Sequence, residues 1–300
     1  MDRRPLSLIV VFYDMAREAD RTLATLAPDY QRGVAATDYE VIAVDAGSAT
    51  PLDATAVQAR CPNARLLRTP PAPSPAAAVN AAARQAAGEA IAVSIDGARM
   101  LSPGIIAGIL AGLQTAADPV VATLAWHLGP KVQNESILEG YDAAAEDALL
   151  ATVDWQRDGY ELFRIATLAA SSGSGWFQPL SESNCLAVPR AAWDSLGGLE
   201  ERFVSPGGGF VNLDFYRRAC DRAESLLTLL GEGTFHQVHG GVATNTPWER
   251  HPFESFHAEY QAIRGEAFAP PLREAVYLGG MPDQALPFLR HSITAATPPA

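Results

Sequence analysis

Apolar runs alternate with segments of helical periodicity along the first part of the chain. Short apolar runs predict strands that are buried in a sheet, at 6–13, 39–44, 64–68 and 90–95. Apolar positions at helical spacing predict helices between and after these strands, at 14–26, 54–60, 76–87 and 103–113. Strands that alternate with helices through short loops favour a parallel, doubly wound sheet.

The second part of the chain continues this alternation less regularly. It predicts strands at 120–126, 184–188 and 226–230, and helices at 134–150, 189–196 and 211–223. The remainder predicts a helical extension over 246–293 and a disordered, Pro/Ala-rich end over 294–300. We therefore predict an α/β fold with a mostly parallel, doubly wound sheet flanked by helices and a mixed C-terminal region.

Polar residues directly follow three of the predicted strands. These segments begin at Phe12, Asp45 and Asp96 and read FYD, DAGS and DGAR. In open α/β sheets ligands bind at the carboxyl ends of the strands, so we expect a binding site there. Each aspartate also has an ordinary explanation, because Asp45 can cap a turn and Asp96 can cap a helix.

Composition and charge make some classes of binding partner unfavourable. The net charge of −12 and the isoelectric point of about 4.9 make unspecific binding to nucleic acid or to an anionic membrane unfavourable. Three widely spaced cysteines predict reduced thiols and a cytoplasmic location. No apolar run approaches the roughly 20 residues that a transmembrane helix needs, and charged residues follow the first run where a signal-peptide cleavage site would lie.

Several motifs, taken together in their order and spacing, resemble the family 2 glycosyltransferases with the GT-A fold. They are VDAGS at 44–48, Asn80 on the third predicted helix, SIDGARMLSPG at 94–104 and LGGLEERFVSPGGGFVNLDFYRRA at 196–219. The resemblance covers roughly residues 6–245. It implies a nucleotide-binding half at 1–125 and an acceptor half at 126–245.

The resemblance implies a nucleotide-diphospho-sugar as donor and an acceptor that is a saccharide, a lipid or a small molecule. Asp45 would bind the base, Asp96 the ribose or a metal shell, and His239 the metal or the diphosphate. Phe12 and Asn80 would complete the donor site. A divalent cation, Mn²⁺ or Mg²⁺, would neutralise the leaving diphosphate, and a carboxylate would accept the proton of the acceptor hydroxyl.

Two positions depart from the family pattern. The second aspartate of the Asp-x-Asp motif is Ala98, which offers no oxygen to a cation, and the next residue is Arg99. Arg99 is therefore a candidate to stabilise the diphosphate without a metal, although it can equally be an ordinary surface arginine. The resemblance places Val211 and Asn212 where the family carries Glu-Asp, and an asparagine cannot act as a general base. Asp214 is then the nearest candidate base, unless it only favours the helix dipole.

Three functional hypotheses follow. The first is an inverting glycosyltransferase, and the second is a non-catalytic nucleotide-sugar-binding or scaffold protein, which Ala98 and Asn212 favour. The third is a nucleotidyltransferase, which would normally carry a Gly-rich loop with a basic residue after its first strand. The loop after Tyr13 has no glycine, so this hypothesis ranks last. Trp176 and Phe177 are candidates either for an acceptor platform or for the core.

Overall fold

The computed structural model describes residues 4–297 and shows the predicted α/β architecture. The first four strands are β1 Arg4–Phe12, β2 Tyr39–Asp45, β3 Ala64–Arg68 and β4 Gly88–Ser94. They are parallel, with β1 between β4 on one side and β2 on the other, and β3 lies beyond β2. The helices that follow them are α1 Ala16–Leu26, α2 Ala54–Arg60, α3 Ala76–Gln85 and α4 Ile105–Gly112.

The second part of the chain extends the sheet beyond β4 with mixed polarity. Its strands are β5 Arg99–Leu101, β6 Pro119–Leu128, β7 Ala166–Leu168, β8 Cys185–Pro189, β9 Ser225–His236 and β10 Ala275–Gly279. Strand β8 pairs antiparallel with both β4 and β6, and β9 pairs parallel with β6 and β10. The two short strands pair antiparallel at the side of this path, β5 with β9 and β7 with β6.

The remaining helices lie in the second part of the chain. They are α5 Gln133–Ser136, α6 Ala143–Leu150, α7 Arg190–Leu196, α8 Val211–Arg222, α9 Phe253–Arg264 and α10 Leu286–Ala296. The predicted helix 134–150 is interrupted, because Gly140 adopts a φ of +89° and ends the first segment. Asp142 then caps the next helix by accepting a hydrogen bond from the Ala145 amide at 2.9 Å.

Alternate residues of β1 belong to two separate buried clusters, one on each face of the sheet. Ile9 and Val11 pack into one cluster, and Leu8 and Val10 into the other. This arrangement requires a continuous apolar strand, which is the pattern that the sequence shows. The larger cluster also contains Trp126, whose ring centre lies 5.6 Å from that of Trp176.

Trp176 is therefore a core residue and not an acceptor platform. Only 1% of it is exposed, and its indole N–H donates to the Leu229 carbonyl oxygen at 2.9 Å. Phe177 is half-buried and packs edge-on against Tyr277 of β10. The three cysteines are free thiols, and all three are buried.

The C-terminal part departs from the prediction in two ways. The region 246–293 contains strand β10 as well as helices, so it is not purely helical. Residues 294–296 belong to α10, so the predicted disordered end does not begin at 294, and residues 298–300 lie outside the described residues. Within the described chain, no helix is both long and apolar enough to cross a membrane.

Candidate active site

Asp96, Arg99, His236 and His239 meet where β4 ends. Asp96 follows β4 by two residues, and the chain then enters β5, whose Arg99 lies opposite His236 in the ladder with β9. His239 follows β9 by three residues in the next loop. The predicted residues Asp96, Arg99 and His239 are thus brought together, and His236 joins them.

The three possible metal ligands are in close contact. His236 Nε2 lies 2.8 Å from Asp96 Oδ2 and 3.1 Å from His239 Nε2. His239 Nε2 lies 3.6 Å from the same carboxylate oxygen. The other oxygen, Asp96 Oδ1, accepts a hydrogen bond from the Ala98 amide at 2.9 Å, which fixes the carboxylate.

Gln133 of α5 sets the tautomer of His236. The Gln133 side-chain amide donates to the His236 carbonyl oxygen at 3.0 Å, so its Oε1 faces His236 Nδ1 at 2.6 Å and accepts the proton from it. Burial lowers the pKa of His236 to about 4, so the ring is neutral at pH 7. The Nε2 lone pair of His236 therefore points toward the Asp96 carboxylate, where it needs a cation or a proton between them.

The protonation states of Asp96 and the two histidines depend on one another. Burial works against the charge of Asp96, but the neighbouring histidines hold the pKa of Asp96 well below its usual range, and the charge of Asp96 raises the pKa of His239 despite its burial. Since His236 is neutral, the proton that stabilises the Asp96 carboxylate lies on His239. A proton on His239 can thus bridge the cluster. One carboxylate oxygen and two imidazole nitrogens are also a suitable donor set for Mn²⁺ or Zn²⁺.

Arg99 is a buried guanidinium with unused donors. It is 4% exposed, its Nε lies 3.8 Å from Asp96 Oδ2, and Nε and Nη1 have no hydrogen-bond partner within the described residues. Burial lowers the pKa of Arg99, while the charges of Asp96 and Glu182 raise it. Arg99 is therefore not an ordinary surface arginine. A buried cation with free N–H groups is suited to bind an anion.

Ala98 is fully buried and offers no oxygen ligand to a cation. The missing second aspartate does not by itself remove the cation site, because His236 and His239 supply two nitrogen ligands.

The two other strand-end residues are held in structural roles. Phe12 is fully buried, and its ring lies so close to Gly97 that a Cβ there would lie 2.3 Å from it, so the Phe12 side chain cannot contact a ligand as predicted. Asp45 is 2% exposed and accepts backbone hydrogen bonds from Ser48 at 2.9 Å and from Leu52 at 2.7 Å. It therefore shapes the loop after β2, and its contact with a base stays a prediction.

The Asn80 side chain is hydrogen-bonded to the turn that follows α7. Its side-chain amide donates to the Leu199 carbonyl oxygen and to Glu201, each at 2.9 Å, and its Oδ1 accepts from the Leu199 amide at 2.9 Å. These bonds hold α3 to the Gly-Gly turn. The ligand contact of Asn80 stays a prediction.

Asp214 is held in a buried ion-pair network and is poorly placed as a base. Its side chain is 1% exposed, Arg218 donates to it at 2.8 Å, and Arg264 of α9 donates to both oxygens at 2.6 and 2.7 Å. A general base must reach a substrate hydroxyl, and these oxygens face two guanidinium groups instead. The sequence could not show this, because Arg264 lies on a distant helix.

Comparison with solved structures shows the fold. TarS residues 1–349 from S. aureus match with a TM-score of 0.53 at 14% identity, covering 77% of this chain and 60% of that chain. TarS in complex with UDP-GlcNAc matches with a TM-score of 0.52 at 15% identity, covering 85% and 66%. The chain thus spans about three fifths of the first TarS structure. No family model and no curated protein sequence matches.

Proposed function

Because the chain has a GT-A-type glycosyltransferase fold, we propose that it transfers a sugar from a nucleotide-diphospho-sugar donor to a hydroxyl acceptor with inversion. The observation that carries this proposal is the Asp96–His236–His239 cluster beside the buried Arg99. Fold alone hosts several functions, so the proposal depends on this cluster. Its position at the carboxyl end of β4 is where ligands bind in such sheets.

The cluster would hold the diphosphate of the donor. Asp96, His236 and His239 would bind a divalent cation, which neutralises the charge that develops on the leaving diphosphate. The free Nε and Nη1 donors of Arg99 would hydrogen-bond phosphate oxygens from a buried position. A fixed guanidinium in a site of low dielectric stabilises such charge more than it would in water.

The loops after β1 and β2 would form the side of the site that faces the nucleoside. They are tied together, because the Asp14 amide donates to Ser48 Oγ at 2.9 Å and the Ala49 amide donates to Asp14 Oδ1 at 2.7 Å. The Asp45 carboxylate holds the second loop, because it accepts hydrogen bonds from the Ser48 and Leu52 amides. TarS carries UDP-GlcNAc in one of its structures, so UDP-GlcNAc is a suitable first donor to test.

A non-catalytic nucleotide-sugar-binding protein is the second candidate function. The observation that favours it is the double ion pair of Asp214, which removes the base predicted on α8. Donor hydrolysis distinguishes the two candidates, because only an enzyme releases the nucleoside diphosphate.

Thermal unfolding in the presence of UDP, GDP, dTDP and CDP, with Mn²⁺ or with EDTA, tests the donor site. A ligand at 100 times its dissociation constant stabilises the folded state by about 2.7 kcal/mol. We expect one nucleotide to raise Tm, and the effect to be larger with Mn²⁺. Absence of any shift under both conditions would overturn the proposed donor site.

A further inference from the structure

A second carboxylate, Glu182, lies in the loop before β8. Strand β8 starts at Cys185, opposite Ser94 at the end of β4, so this loop lies at the sheet edge where Asp96 follows β4. The loop is attached to β6, because the Thr123 amide donates to Ser183 Oγ at 2.9 Å. The position of Glu182 relative to the candidate active site is therefore fixed by the sheet.

Asn212 in the first turn of α8 binds this loop. Its side-chain amide donates to Glu182 Oε2 at 2.9 Å and to the Ser183 carbonyl oxygen at 3.2 Å. Glu182 Oε1 has no hydrogen-bond partner among residues 4–297, and the residue is only half-buried. Asn212 thus orients Glu182 and leaves one carboxylate oxygen available.

The charge of Glu182, like that of Asp96, acts on the guanidinium of Arg99. The charges of both carboxylates raise the pKa of Arg99, against the stronger effect of its burial. Asp96 lies within ion-pair distance of Arg99, at 3.8 Å, and Glu182 acts on the guanidinium from farther away. Asp214, in contrast, has both oxygens bound by arginines and is 1% exposed.

We propose that Glu182 is the general base of the transfer and that Asn212 is its positioning residue, an inference that rests on the proposed function. Glu182 accepts the proton of the acceptor hydroxyl while that oxygen forms its bond to C1 of the sugar. The bond between C1 and the phosphate oxygen breaks, and its electron pair leaves with the nucleoside diphosphate. Arg99 stabilises the departing charge, and Glu182 afterwards releases its proton to water.

An asparagine at position 212 is consistent with this placement. A carboxylate there would lie at hydrogen-bond distance from Glu182, and two carboxylates at that distance repel each other. The amide donates a hydrogen bond instead and keeps Glu182 in place. In this pair the amide is Asn212 on α8, and the carboxylate is Glu182 in the loop before β8.

The test measures release of UDP from UDP-GlcNAc, with water as acceptor, by the full chain and by Glu182→Gln, Glu182→Ala and Glu254→Gln. Glu254 lies exposed in the first turn of α9 and serves as the matched control. Loss of a general base lowers turnover by about 100- to 10,000-fold, so we expect that loss in both Glu182 variants and wild-type turnover in the control. The Tm shift with UDP should be unchanged in every variant.

Rescue by sodium azide distinguishes the loss of a general base from a purely structural effect of the substitution. Azide attacks C1 without losing a proton, so it should restore UDP release by Glu182→Ala and yield a glycosyl azide. Wild-type turnover in both Glu182 variants would overturn the role of Glu182 while leaving the proposed function intact. A wild-type chain that binds none of UDP, GDP, dTDP and CDP would overturn the proposed function, and the role of Glu182 with it.

Discussion

Arg99 and His236 lie opposite each other in the short ladder between β5 and β9, and both approach the same oxygen of Asp96. His236 Nε2 is 2.8 Å and Arg99 Nε is 3.8 Å from Asp96 Oδ2. Both side chains are buried, with 0% of His236 and 4% of Arg99 exposed. The ladder therefore places a fixed cation and a neutral imidazole around one carboxylate.

The histidine pair is expected to determine metal binding. Replacing His236 and His239 with alanine removes two of the three ligands and should lower the affinity for Mn²⁺ by at least 10-fold, as loss of an outer-shell partner alone can cost about 10- to 100-fold. Isothermal titration of Mn²⁺ into the protein with UDP present measures this. His257→Ala, at an exposed position of α9, is the control and should bind as the wild type does. Equal affinity in all three proteins would contradict the assigned ligands.

Arg99→Met separates function from stability. The variant removes a buried charge whose Nε and Nη1 lack hydrogen-bond partners, and Asp96 keeps its contacts with His236 and His239 when the 3.8 Å ion pair with Arg99 is lost, so we expect little change in Tm. Turnover should fall by about 100-fold or more, because a fixed donor to the leaving group is lost. Thermal unfolding and UDP release are measured on the same samples, with the exposed Arg84→Met as control. Unchanged turnover would show that Arg99 does not act on the diphosphate.

Asp214→Ala should damage folding and not chemistry. The change leaves Arg218 and Arg264 without their buried partner, and breaking such a pair costs about 3–5 kcal/mol of unfolding free energy. Urea unfolding measures the loss. Asp221→Ala, which removes an exposed partner of Arg217, should cost much less. If the folded Asp214 variant loses turnover without losing stability, Asp214 has a chemical role after all.

Glu146 is expected to make stability depend on pH. It is fully buried beside Arg17, Arg21 and Tyr141, and burial raises its pKa from the ordinary 4.5 to about 7. Between these values the folded state binds more protons than the unfolded state, so the unfolding free energy contributed by Glu146 falls as pH rises from 4.5 to 7.

The measurement compares Glu146→Gln with the wild type by urea unfolding at pH 4.5 and pH 8. The glutamine can still accept the hydrogen bond that the Val238 amide donates to this position at 2.6 Å. From pH 4.5 to pH 8 the unfolding free energy of Glu146→Gln, relative to that of the wild type, should rise by about 3 kcal/mol. The exposed Glu249→Gln should follow the wild type at both pH values. A constant difference between variant and wild type would show that Glu146 keeps its ordinary pKa in the folded state.

Local patterns in the sequence were sufficient to predict most of the sheet. The apolar runs at 6–13, 39–44 and 90–95 became β1, β2 and β4, because a strand buried on both faces needs consecutive apolar residues. The extension of β9 to His236 was not predicted, since the segment FHQVHGG has the polarity of a loop. Its pairing with β5, which is remote in sequence, makes it a strand.

By itself, then, the sequence determined the α/β alternation, the polar strand ends and the identities of Asp96, Arg99 and His239 as residues to examine. Only the tertiary structure decided which polar groups are free to act. Asp214 is bound by Arg264, Asn80 by a turn, and Glu182 by Asn212. The physical reason is that a carboxylate or amide is defined chemically by its partners, and these partners come from segments that only folding brings together.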